Sequence, residues 1–126
     1  MKIVDKPWGY EKIWAEEKEY RAKILYIKGG HSLSLQYHNK KDESIYVLSG
    51  IVKFEYKHVV GSAPLKVAIL EPGDVRNIMS HIVHRISAVD YDAQVMEVSN
   101  GVSDDDILFV LTMRMADKIC DKNSSL

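Results

Sequence analysis

Prolines and glycines cut this chain at Pro7, Gly9, Gly29, Gly30, Gly50, Gly61, Pro64, Pro72, Gly73 and Gly101, and most of the intervals between them have the length of a strand. Punctuation of this kind predicts an all-β domain. In IVKFEYK, Val52, Phe54 and Tyr56 fall on one face and Lys53, Glu55 and Lys57 on the other, the period of two of a half-buried strand. Leu48-Ser49-Gly50-Ile51 reads as the hairpin turn in front of it. Further short runs fall at 20–27, 32–38, 44–48, 66–70, 75–79, 84–89 and 93–99. Glu71-Pro72-Gly73-Asp74 has the proline and glycine of a type II turn and should join two strands. About eight strands in one continuous domain point to a sandwich or closed barrel, which also disposes of unpaired edges. The segment 107–115 carries β-branched and aromatic residues after an acidic, helix-capping start, and its sequence leaves helix and strand open.

The 126 residues suit one domain spanning 1–126, and so one site. Lysine and arginine number 17 against 18 acidic residues, a balance that gives no field for steering the protein onto nucleic acid or an anionic membrane. A single cysteine, Cys120, excludes an internal disulfide and suits a reducing compartment. No apolar run has the length of a membrane span and MKIVDKPWGYEK lacks a signal-peptide core, so the expectation is a soluble, cytoplasmic protein.

Alternation in SLSLQYH places Ser32, Ser34, Gln36 and His38 on one strand face. Glu43 follows after a short polar loop, where a paired antiparallel strand would bring its carboxylate beside His38, and His84 opens another strand beyond the Pro-Gly turn. Two imidazoles, a carboxylate and an amide oxygen make a four-ligand shell for one divalent metal ion, with positions open to water or substrate. Residue type alone favours a plainer picture: a wet strand face, a loop acid and a hydrogen-bonded core histidine. Spacing favours the metal site. Gly30, five residues, Gln36, one residue, His38, four residues, Glu43, six residues and Gly50 resemble the first cupin motif with glutamine in place of its first histidine. Pro72-Gly73-Asp74 followed by His84 resembles the second motif, lengthened by several residues.

With Lys6-Pro7-Trp8-Gly9 and His84-Arg85-Ile86, the glutamine variant most resembles the cupin domain of type II mannose-6-phosphate isomerases. The resemblance implies a single cupin barrel (a jelly roll, or double-stranded β-helix), a homodimer, and a small-molecule substrate of the sugar or sugar-phosphate class. It further implies a metal held by Gln36, His38, Glu43 and His84. A mixed nitrogen and oxygen shell accepts zinc, manganese, iron, nickel or cobalt. Lys41 stands where that family has an arginine, Ser44-Ile45 where it has His-Trp, and Phe109 where it has a further arginine; its Tyr-Gly-Arg ending is absent. Lys41 is therefore a substrate-binding candidate that keeps the positive charge without arginine's bidentate fork.

Glu97, within the otherwise apolar VMEVS, is a candidate general base if it faces the cavity, and Glu43 is the other; equally, Glu97 suits pairing with a buried lysine or arginine. Alternation turns Arg85 away from the face of His84, giving it a structural or rim role, and His81 reads as a solvated loop histidine. Three function classes follow. The first is a metal-dependent aldose-ketose isomerase; the second is a non-haem iron dioxygenase built on His38, Glu43 and His84; the third is a sugar- or metabolite-binding barrel without catalysis.

Overall fold

The computed structural model describes residues 1–101 and 106–110, with backbone alone for 107–110; Cys120 and the segment 111–115 lie outside the described residues. Eleven strands follow one another: β1 Lys2–Lys6, β2 Gly9–Glu16, β3 Tyr20–Ile27, β4 Leu35–His38, β5 Glu43–Ser49, β6 Val52–His58, β7 Lys66–Leu70, β8 Val75–Ile78, β9 Ile82–Ala88, β10 Ala93–Asn100 and β11 Ile107–Val110. They form a six-stranded sheet in the order β1-β2-β3-β10-β5-β8 and a five-stranded sheet in the order β11-β4-β9-β6-β7, every pairing antiparallel. This is a jelly roll. Among the described residues no helix is long and apolar enough to cross a membrane.

The core lies between the sheets. Leu25, Ile27, Ile45, Val47, Ala93 and Val95 from the first meet Val52, Phe54, Leu70, Ile86 and Ala88 from the second. Strict alternation sets up this face: along β5, Glu43, Ile45 and Val47 are buried while Tyr46 and Leu48 are exposed, and along β10 Ala93, Val95, Glu97 and Ser99 are buried. Burying those aliphatic side chains, at roughly 1.5–3 kcal/mol each, drives the layers together.

One connection differs from the sequence expectation. Leu48-Ser49-Gly50-Ile51 does not close a hairpin, since β5 and β6 lie in opposite sheets and the chain crosses from one layer to the other there. The Glu71–Asp74 turn, closed by the Asp74 N–H donating to the Glu71 carbonyl at 3.0 Å, joins two strands as expected, β7 of one sheet and β8 of the other. Strand β4 is also shorter than expected: Ser32 makes only an isolated bridge to Ser87 before the ladder begins at Leu35. Nor is β6 half-buried, because Glu55 and Lys57 on its outer face are as enclosed as Val52 and Phe54 on its inner one. Backbone pairing of Ile107–Val110 with β4 settles the first part of the ambiguous tail as a strand.

Candidate metal centre

Polar residues occupy one end of the inner face and aliphatic residues the other. Lys23 precedes Leu25 and Ile27 on β3, Glu43 precedes Ile45 and Val47 on β5, and Glu97 follows Val95 on antiparallel β10, so the three charged residues share that end. Register pairs Glu97 with both Lys23 and Ile45, and Glu43 with Ser99. From the facing sheet come Gln36 and His38 on β4 and His84 on β9, with Gln36 and His84 directly opposite one another. His38 and Glu43 thus meet across the layers, not along one sheet as their closeness in sequence led us to expect.

His38, Glu43 and His84 each offer a ligand atom, and these atoms all lie within 4.8 Å of one another, so the three could hold a metal ion. His84 Nε2 is 3.0 Å and His38 Nε2 4.0 Å from Glu43 Oε1. The other nitrogen of His84, Nδ1, donates to the Ile82 carbonyl at 2.8 Å, which orients the ring and turns Nε2 toward the cluster. Gln36 Oε1 and His38 Nδ1 are buried with no hydrogen-bond partner among the described residues. A buried, unpartnered amide oxygen costs about 1–3 kcal/mol and suits a cation. The loop joining β4 to β5 is pinned at several points: Asp106 Oδ2 accepts from the backbone N–H groups of Lys40 and Lys41, both at 2.9 Å, and Asp42 Oδ1 accepts from Ser80 N–H at 2.8 Å. His81, exposed beyond that loop, donates its backbone N–H to the His38 carbonyl at 2.7 Å.

Gln36, His38 and Glu43 meet a cavity of about 250 Å³ whose wall also includes Lys6, Trp8, Glu11, Lys23, Lys41 and Glu97. Charges alternate along that wall. Lys23 Nζ lies 3.1 Å from Glu11 Oε2 and 3.9 Å from Glu97 Oε1; Lys41 Nζ lies 3.8 Å from Glu97 Oε1 and 4.0 Å from Glu43 Oε2. Glu97 therefore both faces the cavity and pairs with Lys23 and the buried Lys41. Lys41, 4% exposed, sits in the wall between two carboxylates.

The two carboxyls are driven apart in acidity. Burial acts to raise Glu43, but the hydrogen bond and charge of His84, the Glu97 carboxyl and Lys41 outweigh it and hold Glu43 at about 2. Glu97 is pushed up to about 7, first by burial and then by the charge of Glu43, against the pull of Lys23 and Lys41. His38 is lowered, chiefly by burial, with Lys41 and His84 repelling its charged form. His84 is raised: burial opposes protonation, and the bond to Glu43 overcomes it. Lys23 is raised in the same manner by Glu97 and Glu11 over the opposing effect of burial.

Glu11 and Lys23 escaped the sequence reading because charged residues on a strand ordinarily mark its wet face. The available signal was parity: Lys23 shares its face with Leu25 and Ile27. Trp8 is buried and also lines the cavity. Arg85 lies on the outer face, paired with Glu55 at 2.9 and 3.1 Å.

Residues 1–111 match the family model described as mannose-6-phosphate isomerase C-terminal. No curated protein matches the sequence. Among solved structures, the capsular polysaccharide assembling protein CapF from Staphylococcus aureus superposes with a TM-score of 0.78 at 18% identity, over 87% of this chain and 34% of that one. KdgF from Halomonas sp. gives 0.68 at 21% identity, over 83% and 90%. Oxalate decarboxylase from Bacillus subtilis gives 0.71 at 18% identity, over 85% and 29%. At these identities the likeness is one of fold, the cupin jelly roll, and the chain spans only a minor part of CapF and of oxalate decarboxylase.

Proposed function

The chain belongs to the mannose-6-phosphate isomerase C-terminal family, and on that footing we propose that its cavity binds a sugar or sugar phosphate beside one divalent metal ion and interconverts aldose and ketose. Gln36, His38, Glu43 and His84 are the proposed ligands, and the buried, unpartnered Gln36 Oε1 and the oriented Nε2 of His84 fit that role. A bound cation supplies Lewis acidity that polarises the sugar carbonyl.

The observation that carries the proposal is geometric: a second buried carboxyl, Glu97, lines the cavity next to the proposed ligand Glu43 and can take and return a proton there. Isomerisation needs that reversible transfer between neighbouring carbons. Lys23 and Lys41 flank Glu97 and fix the position of its carboxyl. Lys41 also turns an ammonium toward the cavity, where it can donate to a substrate hydroxyl.

The test is interconversion of mannose 6-phosphate and fructose 6-phosphate, and of the corresponding free sugars, by metal-loaded protein. Glu97→Gln should lower kcat by about 100-fold or more while metal content stays unchanged. Absence of turnover on every sugar pair, with metal bound, removes the proposal.

A further inference from the structure

The cavity wall holds three lysines, and only one of them is free to receive an anion. Lys23 is drawn to Glu11 and Glu97, and Lys41 to Glu43 and Glu97. The deep part of the cavity therefore sets three carboxyls against two ammonium groups already committed to them. Lys6 is different: it lines the same cavity, is exposed, and has no carboxylate partner among the described residues.

Its backbone is fixed even though its side chain is exposed. Lys6 pairs with Gly9 across the tight β1-β2 turn. Gly9 has φ +148, and a Cβ there would lie 1.9 Å from the Tyr26 carbonyl oxygen, so the turn lies flat against β3. The Trp8 carbonyl accepts from Lys28 N–H at 2.8 Å, and the Trp8 side chain is buried in the main core. The Lys6-Pro7-Trp8-Gly9 turn is thus a rigid bracket that places one unmatched cation at the cavity mouth.

We propose that Lys6 is a specificity-determining residue: it receives the anionic group, phosphate or carboxylate, of a sugar whose reacting end enters the cavity. This deepens the sugar-binding part of the proposed function and rests on it. With Lys23 and Lys41 held by the buried carboxyls, the exposed Lys6 ammonium is the cation left at the rim to meet the charged end of the ligand as a point charge.

Calorimetry on metal-loaded protein tests the assignment with three probes: mannose 6-phosphate, glucuronate and mannose. Wild type should bind at least one of the two anionic sugars more tightly than mannose, and the comparison between them tells a phosphate rim from a carboxylate rim. Lys6→Ala should weaken the favoured anionic sugar about tenfold and leave mannose unchanged, while Lys6→Arg restores most of the loss. The assignment is overturned by equal weakening of charged and neutral sugars, by no weakening, or by a wild type that binds no anionic sugar more tightly than mannose. Because binding is read without turnover, a failed isomerase assay alongside Lys6-dependent selectivity removes the isomerase and keeps the rim. Turnover unaffected by Lys6→Ala on either charged or neutral sugars does the reverse.

Discussion

Arg85 and Glu55 show how closely a buried charge depends on its partner. They stand opposite one another in the β6-β9 ladder, and the guanidinium grips both carboxylate oxygens of a residue that is 3% exposed. Arg85→Ala strands that carboxylate and should cost about 2–3 kcal/mol by urea denaturation, with metal content unchanged. A loss of metal in that variant would mean that the outer face communicates with the cavity. Lys41 illustrates the opposite choice of cation. At 3.8 and 4.0 Å from carboxylates on two different strands it bridges divergent partners, which a compact ammonium does more readily than a planar fork built for one carboxylate.

Among the elements, the passage from β5 to β6 combines a left-handed backbone with a close steric approach at a single residue. Gly50 adopts φ +80, and a Cβ there would approach the Asp92 carbonyl oxygen to 2.6 Å and Ala93 Cα to 2.8 Å. Gly50→Ala should therefore lower stability by about 2 kcal/mol, from left-handed strain together with the displaced 92–93 backbone, as read from the shift in melting temperature. The sequence showed a turn at Gly50 but not its destination, since a glycine turn looks the same whether the next strand joins the same sheet or the other one. Tyr20–Ile27 and Lys66–Leu70 were legible to the residue because Gly29-Gly30 closes the first and Pro64 and Pro72-Gly73 bracket the second. The β1-β2 hairpin was not. Almost every residue of β1 is exposed, so it has no alternation to read, and a register shift between Ile13 and Ala15 breaks the period of β2. At the site, the spacing of Gln36, His38, Glu43 and His84 made their grouping legible, whereas Lys23 joins it through register with β10, distant in sequence, and Glu11 through its ion pair with Lys23.

For the molecule as a whole, the buried charges tie stability to pH. Glu97 has its ordinary value of 4.5 when unfolded and about 7 when folded, so the folded state holds that proton more tightly and stability falls as pH rises between those values. His84 is raised above 6.5; its contribution is complete below that value and is lost as pH climbs through the folded one. Glu43 acts in the other direction, its contribution being present above 4.5 and lost as pH drops toward 2. Chelator-treated protein should accordingly melt at a lower temperature at about pH 8 than at about pH 5, and Glu97→Gln should flatten the curve between them. A wild-type melting temperature that rises over this interval contradicts the raised pKa of Glu97. Glu43 belongs to one sheet and both histidines to the other. An ion gripped by all three is a rivet through the two walls of the cup, so filling the site and stiffening its lip are a single event.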